Sequence, residues 1–196
     1  MGGQISNRDI EYLANGLTKS YNKKEYVPIV ALIDILNRYN LTYDVYNFKI
    51  SKFSGMLHLL EGQYIIVVNE IHHIKKRIFT VAHEIGHYLL HLDLMPEFFC
   101  NEIFKISNKK IETEANRFAA EILMPTDTFV YLIKKNGTNF TSIAMRLNIS
   151  EEAVRWRYVD LCNEYANIPK DVLIQKIVVP YKNEQERKFN MKQAIE

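Results

Sequence analysis

Apolar residues recur along this chain in two rhythms, and the switches between them divide it into elements. Helical spacing comes first. Ile10, Leu13, Ala14 and Leu17 share one side of residues 6–19, which Ser6 or Asn7 can cap. After the polar connector Tyr21-Asn22-Lys23-Lys24, Pro28 suits a helix first turn, and Ile29, Leu32, Ile33 and Leu36 continue to near Asn40. The rhythm then shortens to alternation. Leu41 to Phe48 is rich in Tyr and Val and reads as a strand. Gly55 to Leu60 and Tyr64 to Val68 follow as two more, turned at Glu61-Gly62-Gln63. The last is almost wholly apolar, as an inner strand would be. Asn69 to Lys76 is a polar lead into the next helix.

Helical spacing returns at Phe79 to His91, at Ile111 to Leu123, at Thr126 to Lys135 and through Thr141 to Tyr158. Asp93 to Asn108 is mixed and reads as an irregular loop or short helix. Asp171 to Val179 is apolar and β-rich, a strand or a docking segment. Tyr181 to Glu196 carries alternating charge and few large apolar groups, as a frayed helix or disordered tail would. The pattern predicts an α+β fold: a small sheet of about three strands on one buried helix, with further helices behind it. Residues 1–162 are expected to form one domain and 163–196 an extension.

Composition changes this picture little. The chain has 196 residues, 47 % of them hydrophobic, enough for a sizeable core. Its net charge of +2 (25 basic, 23 acidic) gives no electrostatic case for a dedicated nucleic-acid binder. No apolar run nears the roughly 18 residues of a membrane span, and the first residues form no signal peptide. Met1-Gly2-Gly3-Gln4-Ile5-Ser6 fits the loose myristoylation pattern, which chance explains better. Cys100 and Cys162 are isolated and read as reduced thiols of a cytoplasmic protein.

Chemistry concentrates in Phe79-Thr80-Val81-Ala82-His83-Glu84-Ile85-Gly86-His87-Tyr88-Leu89-Leu90-His91. Within it lies H-E-x-x-H, the zinc-peptidase spacing. Residues one helical turn apart sit about 6 Å apart on nearly one face, so His83 and His87 can grip one Zn²⁺. Glu84 flanks the ion without ligating it and can act as a general base. Gly86 costs about 0.8–1.0 kcal/mol of helix propensity relative to Ala, so something is expected to pack close there. His91 lies about 12 Å along the axis from His83, too far to share its ion, and is expected to pack beside the site. His72 and His73 read as surface residues, and His58 as a strand residue facing solvent. Tyr88 and the loop histidines are candidates for stabilising an oxyanion.

A catalytic zinc needs a third protein ligand and an open position. Ala115, Phe118, Ala119, Ile122 and Leu123 form an apolar stripe ending before Pro125, and the small alanines permit a close second helix. Glu114 adjoins that stripe and is the favoured third ligand, with Glu112 its rival.

Two ordered motifs now resemble the ImmA/IrrE family of zinc metallopeptidases. They are Arg77-x-Phe79-Thr80-x-Ala82-His83-Glu84-x-Gly86-His87-x-Leu89-Leu90-His91 and Glu112-x-Glu114-Ala115-Asn116-x-Phe118-Ala119-Ala120-x-x-Leu123-Met124-Pro125, inside a similarity covering roughly residues 20–160. The resemblance implies a zincin-like minimal fold and Zn²⁺ held by His83, His87 and an acidic residue matching Glu114, with Glu84 as base. It also implies a protein substrate, a helix-turn-helix transcriptional repressor, cleaved to release genes of a mobile element or a stress response.

Residues 141–158 themselves read as helix, tight turn and a second helix capped by Ser150, with Arg146, Arg155 and Arg157 as basic groups. Val154, Trp156 and Tyr158 look needed for packing, and in the resembled family this segment is ordinarily part of the domain. Stable nucleic-acid binding is therefore not expected. The alternatives are a non-proteolytic regulator with a structural zinc, acting by protein contact, and a DNA-binding protein using this segment.

Overall fold

A computed structural model describes residues 5–92 and 109–193, and the side chains of these up to Asn190. The elements are α1 (Asn7–Thr18), α2 (Pro28–Arg38), β1 (Thr42–Tyr46), β2 (Gly55–Leu60), β3 (Gln63–Asn69), α3 (Ile74–His91), α4 (Lys109–Leu123), α5 (Thr126–Asn136), α6 (Phe140–Leu147) and α7 (Glu151–Ala166). A short α8 (Lys170–Leu173), a π-helical turn (Ile174–Val178) and α9 (Val179–Gln193) complete it. The readings of Asp93 to Asn108, of Cys100 and of the first four residues lie outside the described residues.

Local chemistry explains most boundaries. Ser6 accepts from the Asp9 amide while Asp9 accepts from the Ser6 amide, a reciprocal cap that starts α1. Ser150 starts α7 by accepting from Ala153, and Asn148 takes the left-handed conformation that ends α6. Glu61 and Gly62 have φ of 51° and 82°, the two positive values that a tight type I′ hairpin needs between β2 and β3.

The sheet runs β1-β3-β2, with β1 parallel and β2 antiparallel to β3. Leu57, Ile66 and Val68 turn inward against α3. The approach is closest at Gly55, where a Cβ would stand 2.6 Å from Thr80 Cγ2 and 2.7 Å from the Val67 carbonyl. The central core joins α1, α2, the sheet, α3 and α4 through residues such as Ile10, Leu32, Ile35, Ile85 and Phe118. Tyr26, buried beneath it, donates its hydroxyl to the Ile122 carbonyl. This is the α+β architecture that the residue pattern predicts, with the small sheet on the H-E-x-x-H helix.

Two expectations are corrected. On α2 the buried stripe is Ala31, Leu32, Ile35 and Leu36, while Ile29 and Ile33 face solvent. Residues 171–179 are helical rather than strand: Leu173 and Val178 pack with Val159 of α7, and burial on one helical face outweighs the β preference of the valines and isoleucines. The charged stretch from Tyr181 is helical up to Gln193. Helix α7 runs through residue 162 to Ala166. No helix among the described residues is long and apolar enough to cross a membrane.

Candidate metal centre

Helix α3 begins at His73, whose Nδ1 accepts the Lys75 amide at 3.2 Å. Its apolar residues Ile78, Val81, Ala82 and Ile85 press into the core and carry the polar residues in with them. His83, Glu84 and His87 are 8 %, 1 % and 3 % exposed. Groups this buried are costly unless partnered or charged to a purpose.

Helix α4 crosses closely at Gly86. A Cβ there would lie 3.2 Å from Ala115 Cα and 3.1 Å from Phe118 Cδ1, so the glycine and the small alanine set the separation of the two helices. That contact brings α4 side chains over the histidines. The two Nε2 atoms lie 2.9 Å apart. The carboxylate of Glu112 reaches both, with Oε2 3.3 Å from His83 Nε2 and Oε1 3.2 Å from His87 Nε2. Among the described residues these three form a cluster able to hold a metal ion.

The geometry gathers Glu112, not the favoured Glu114. Glu114 does turn inward, but its Oε2 lies 3.0 Å from His91 Nε2, at the far side of His87. Glu112 is the less buried of the two. The sequence argument favoured the acid nearest the apolar stripe, whereas a ligand that leaves a position open to substrate belongs at the rim of the cluster.

Both histidines are held from behind. His83 Nδ1 lies 2.9 Å from Asn116 Oδ1. A carbonyl oxygen only accepts, so Nδ1 carries the proton and Nε2 is a bare lone pair in the neutral ring. His87 Nδ1 lies 3.2 Å from His91 Nδ1. Burial pushes the His91 ring toward its neutral form against the pull of its hydrogen bond to Glu114. Burial alone would raise the Glu112 carboxyl, but its hydrogen bonds and charge interaction with His83 and His87 hold it well below the usual carboxylate range. Once Nε2 of each ring is free of its proton, as ligation requires, two imidazole lone pairs and an ionised carboxylate point at one place. Ligand atoms of a tetrahedral zinc, bonded at about 2.0–2.1 Å, sit about 3.3 Å from one another. The observed separations of 2.9, 3.2 and 3.3 Å match that spacing, so the residues present fit the ion.

The remaining candidates have other partners. Tyr88 packs its ring between Tyr39 and Tyr64, with centroids 6.0 and 5.3 Å away. His72 Nε2 lies 3.0 Å from the Phe53 carbonyl, and His58 is exposed on β2. Phe79 lies beside His83, with ring centroids 6.4 Å apart. Sequence reasoning missed Asn116, although it stands one helical turn after Glu112, and residues so spaced share a face. In the helix-turn-helix pair, Arg146 bonds the Lys24 and Tyr26 carbonyls, Arg155 pairs with Glu151 at 2.6 Å, and Arg157 with Glu121 at 2.6 Å.

Comparison with known proteins gives the family. The family described as Peptidase M78, IrrE N-terminal-like domain, matches residues 37–158. The chain is similar to Metallopeptidase ImmA of Bacillus subtilis (strain 168), at 36 % identity over 64 residues, which is 32 % of this chain and 35 % of that protein. It thus spans about a third of the length of that relative. A solved Mycobacterium tuberculosis transcriptional regulator superposes with a TM-score of 0.57 at 13 % identity, over 78 % of this chain and 46 % of that one, a likeness of fold alone.

Proposed function

The chain belongs to the IrrE N-terminal-like family of metallopeptidases, and from that premise we propose that it is a zinc-dependent endopeptidase whose ligands are His83, His87 and Glu112 and whose general base is Glu84. The observation that carries this reading is the convergence of two histidine Nε2 atoms and one carboxylate beside a buried glutamate. When bound, the zinc polarises the scissile carbonyl and makes the attacking water more acidic. Asn116 and His91 hold the ligand rings with Nε2 facing the site. Glu84 takes the proton from the attacking water and passes it to the leaving amine.

The substrate class follows from the family resemblance: a helix-turn-helix transcriptional repressor, cleaved to release the genes that it silences. Residues 1–162 would carry the peptidase unit, with 163–196 an extension resting on it through Leu173 and Val178.

The test is cleavage of a helix-turn-helix repressor by the zinc-loaded protein and by Glu84→Gln. The variant is expected to keep one zinc and to lose about 10²–10⁴-fold in turnover, the usual worth of a positioned acid–base group. Wild-type turnover in that variant would end the assignment of Glu84.

A further inference from the structure

Glu114 has no place in the chemistry above and His91 enters it only as a hold on the His87 ring, yet both are buried, at 8 % and 0 % exposure, and they touch each other while His91 touches His87. Their hydrogen bonds can be given directions. A carboxylate only accepts, so His91 Nε2 donates to Glu114 Oε2. A neutral His91 then has a bare Nδ1, which can only accept. The atom 3.2 Å from it, His87 Nδ1, must donate. His87 is thereby left with its lone pair on Nε2, the atom 3.2 Å from Glu112.

We propose that Glu114 and His91 are positioning residues that fix the tautomer and the ring plane of His87 through a two-step relay, as Asn116 does in one step for His83. This rests on the metal reading above. The intermediate matters, because imidazole can accept at either nitrogen. Without an acceptor-only group at its far end, His91 could turn its proton toward His87 and force the His87 proton onto Nε2, where it blocks ligation. Glu114 therefore acts on the ion at two removes, and a carboxamide, which can donate as well as accept, would not enforce the direction of the relay. Glu114→Gln, nearly isosteric, offers an NH₂ that can donate to His91 Nε2 and reverse the relay.

The experiment measures zinc affinity of the full chain by competition with a chromophoric chelator, for wild type, Glu114→Gln, His91→Leu and Asn116→Ala, alongside thermal melts of the metal-free proteins. Long-range ¹H–¹⁵N correlation of the imidazoles reads the tautomers. The expected result is a 10–100-fold loss of zinc affinity in each variant, with the metal-free melt of Glu114→Gln near that of wild type. In wild type His87 should carry its proton on Nδ1 and His91 on Nε2. Unchanged affinity in Glu114→Gln overturns the relay while leaving the metal reading intact. So does an affinity that falls only in step with the metal-free melt. A wild type that binds no zinc instead sinks the metal reading itself. If the variants fail to fold, the wild-type tautomers decide, and a His91 proton on Nδ1 overturns the proposal.

Discussion

Helix α4 carries two buried polar clusters, and their difference separates a socket from a brace. Near its start, Glu112 meets the Nε2 atoms of His83 and His87 at 3.3 and 3.2 Å. Near its end, Glu121 meets Arg157 at 2.6 Å, with both side chains almost wholly buried. The Thr126 hydroxyl accepts from Arg157 and lies within hydrogen-bond distance of both Glu121 and Glu11. Burial raises the Glu121 carboxyl and Arg157 pulls it back. That second cluster pairs a cation with an anion, though Glu121 Oε1 and Arg157 Nε find no hydrogen-bond partner among the described residues, and it ties α4 to α5 and α7. The first is a donor set that could hold a metal ion.

The largest expected effect is a crossed one. Arg157→Met should leave a buried carboxylate unpaired and cost about 3–5 kcal/mol in urea unfolding, with zinc affinity of the folded protein unchanged. Glu112→Ala should do the reverse, losing zinc by more than the 10–100-fold set by outer partners while the metal-free protein melts near wild type. If both variants lose stability and zinc together, the distinction fails. The double variant Arg157→Met with Glu121→Leu should regain most of the loss, because well-packed apolar pairs replace buried ion pairs at little cost.

Gly86→Ala probes the spacing between the two helices. The new Cβ would meet Phe118 and Ala115 at 3.1–3.2 Å, an overpacking cost of about 1–3 kcal/mol, against about 0.8–1.0 kcal/mol of helix propensity gained. A small net loss of stability should accompany weaker zinc binding, since α4 carries Glu112 and Asn116. Equal or tighter zinc binding in this variant would show that the close contact does not set the site.

The smallest effect is in pH. The folded His91 is shifted below its usual 6.5, chiefly by burial. Below that value the unfolded chain takes up a proton that the folded ring refuses. Stability contributed by the neutral ring is thus complete above 6.5 and declines as pH falls toward the folded value, by at most about 1.4 kcal/mol per pH unit. Melts of the metal-free protein between pH 7.5 and 5.5 should show the decline, and His91→Leu should flatten it. An equal slope in the two proteins would remove His91 from the account.

How the chain was legible depended on the range of the force concerned. H-E-x-x-H on an apolar helix, the Ser6 and Ser150 caps and the Glu61-Gly62 hairpin were all readable, because each is set by residues within a turn or two of one another. The apolar run at 171–179 was not, since its neighbours on α7 decide between strand and helix there. The exposed stripe of Ile29 and Ile33 on α2 escaped for a similar reason.

The sequence by itself determined that two histidines would share a helical face beside a glutamate, because the period of the helix dictates it. It also determined that a second, alanine-bearing helix could come close. Which acid of that helix completes the cluster was decided only in three dimensions. Glu112, Glu114 and Glu121 are chemically identical, and one faces a pair of histidines, one a single histidine and one an arginine. Rotation and offset between two packed helices are properties of the whole core, and no spacing along one strand of sequence contains them.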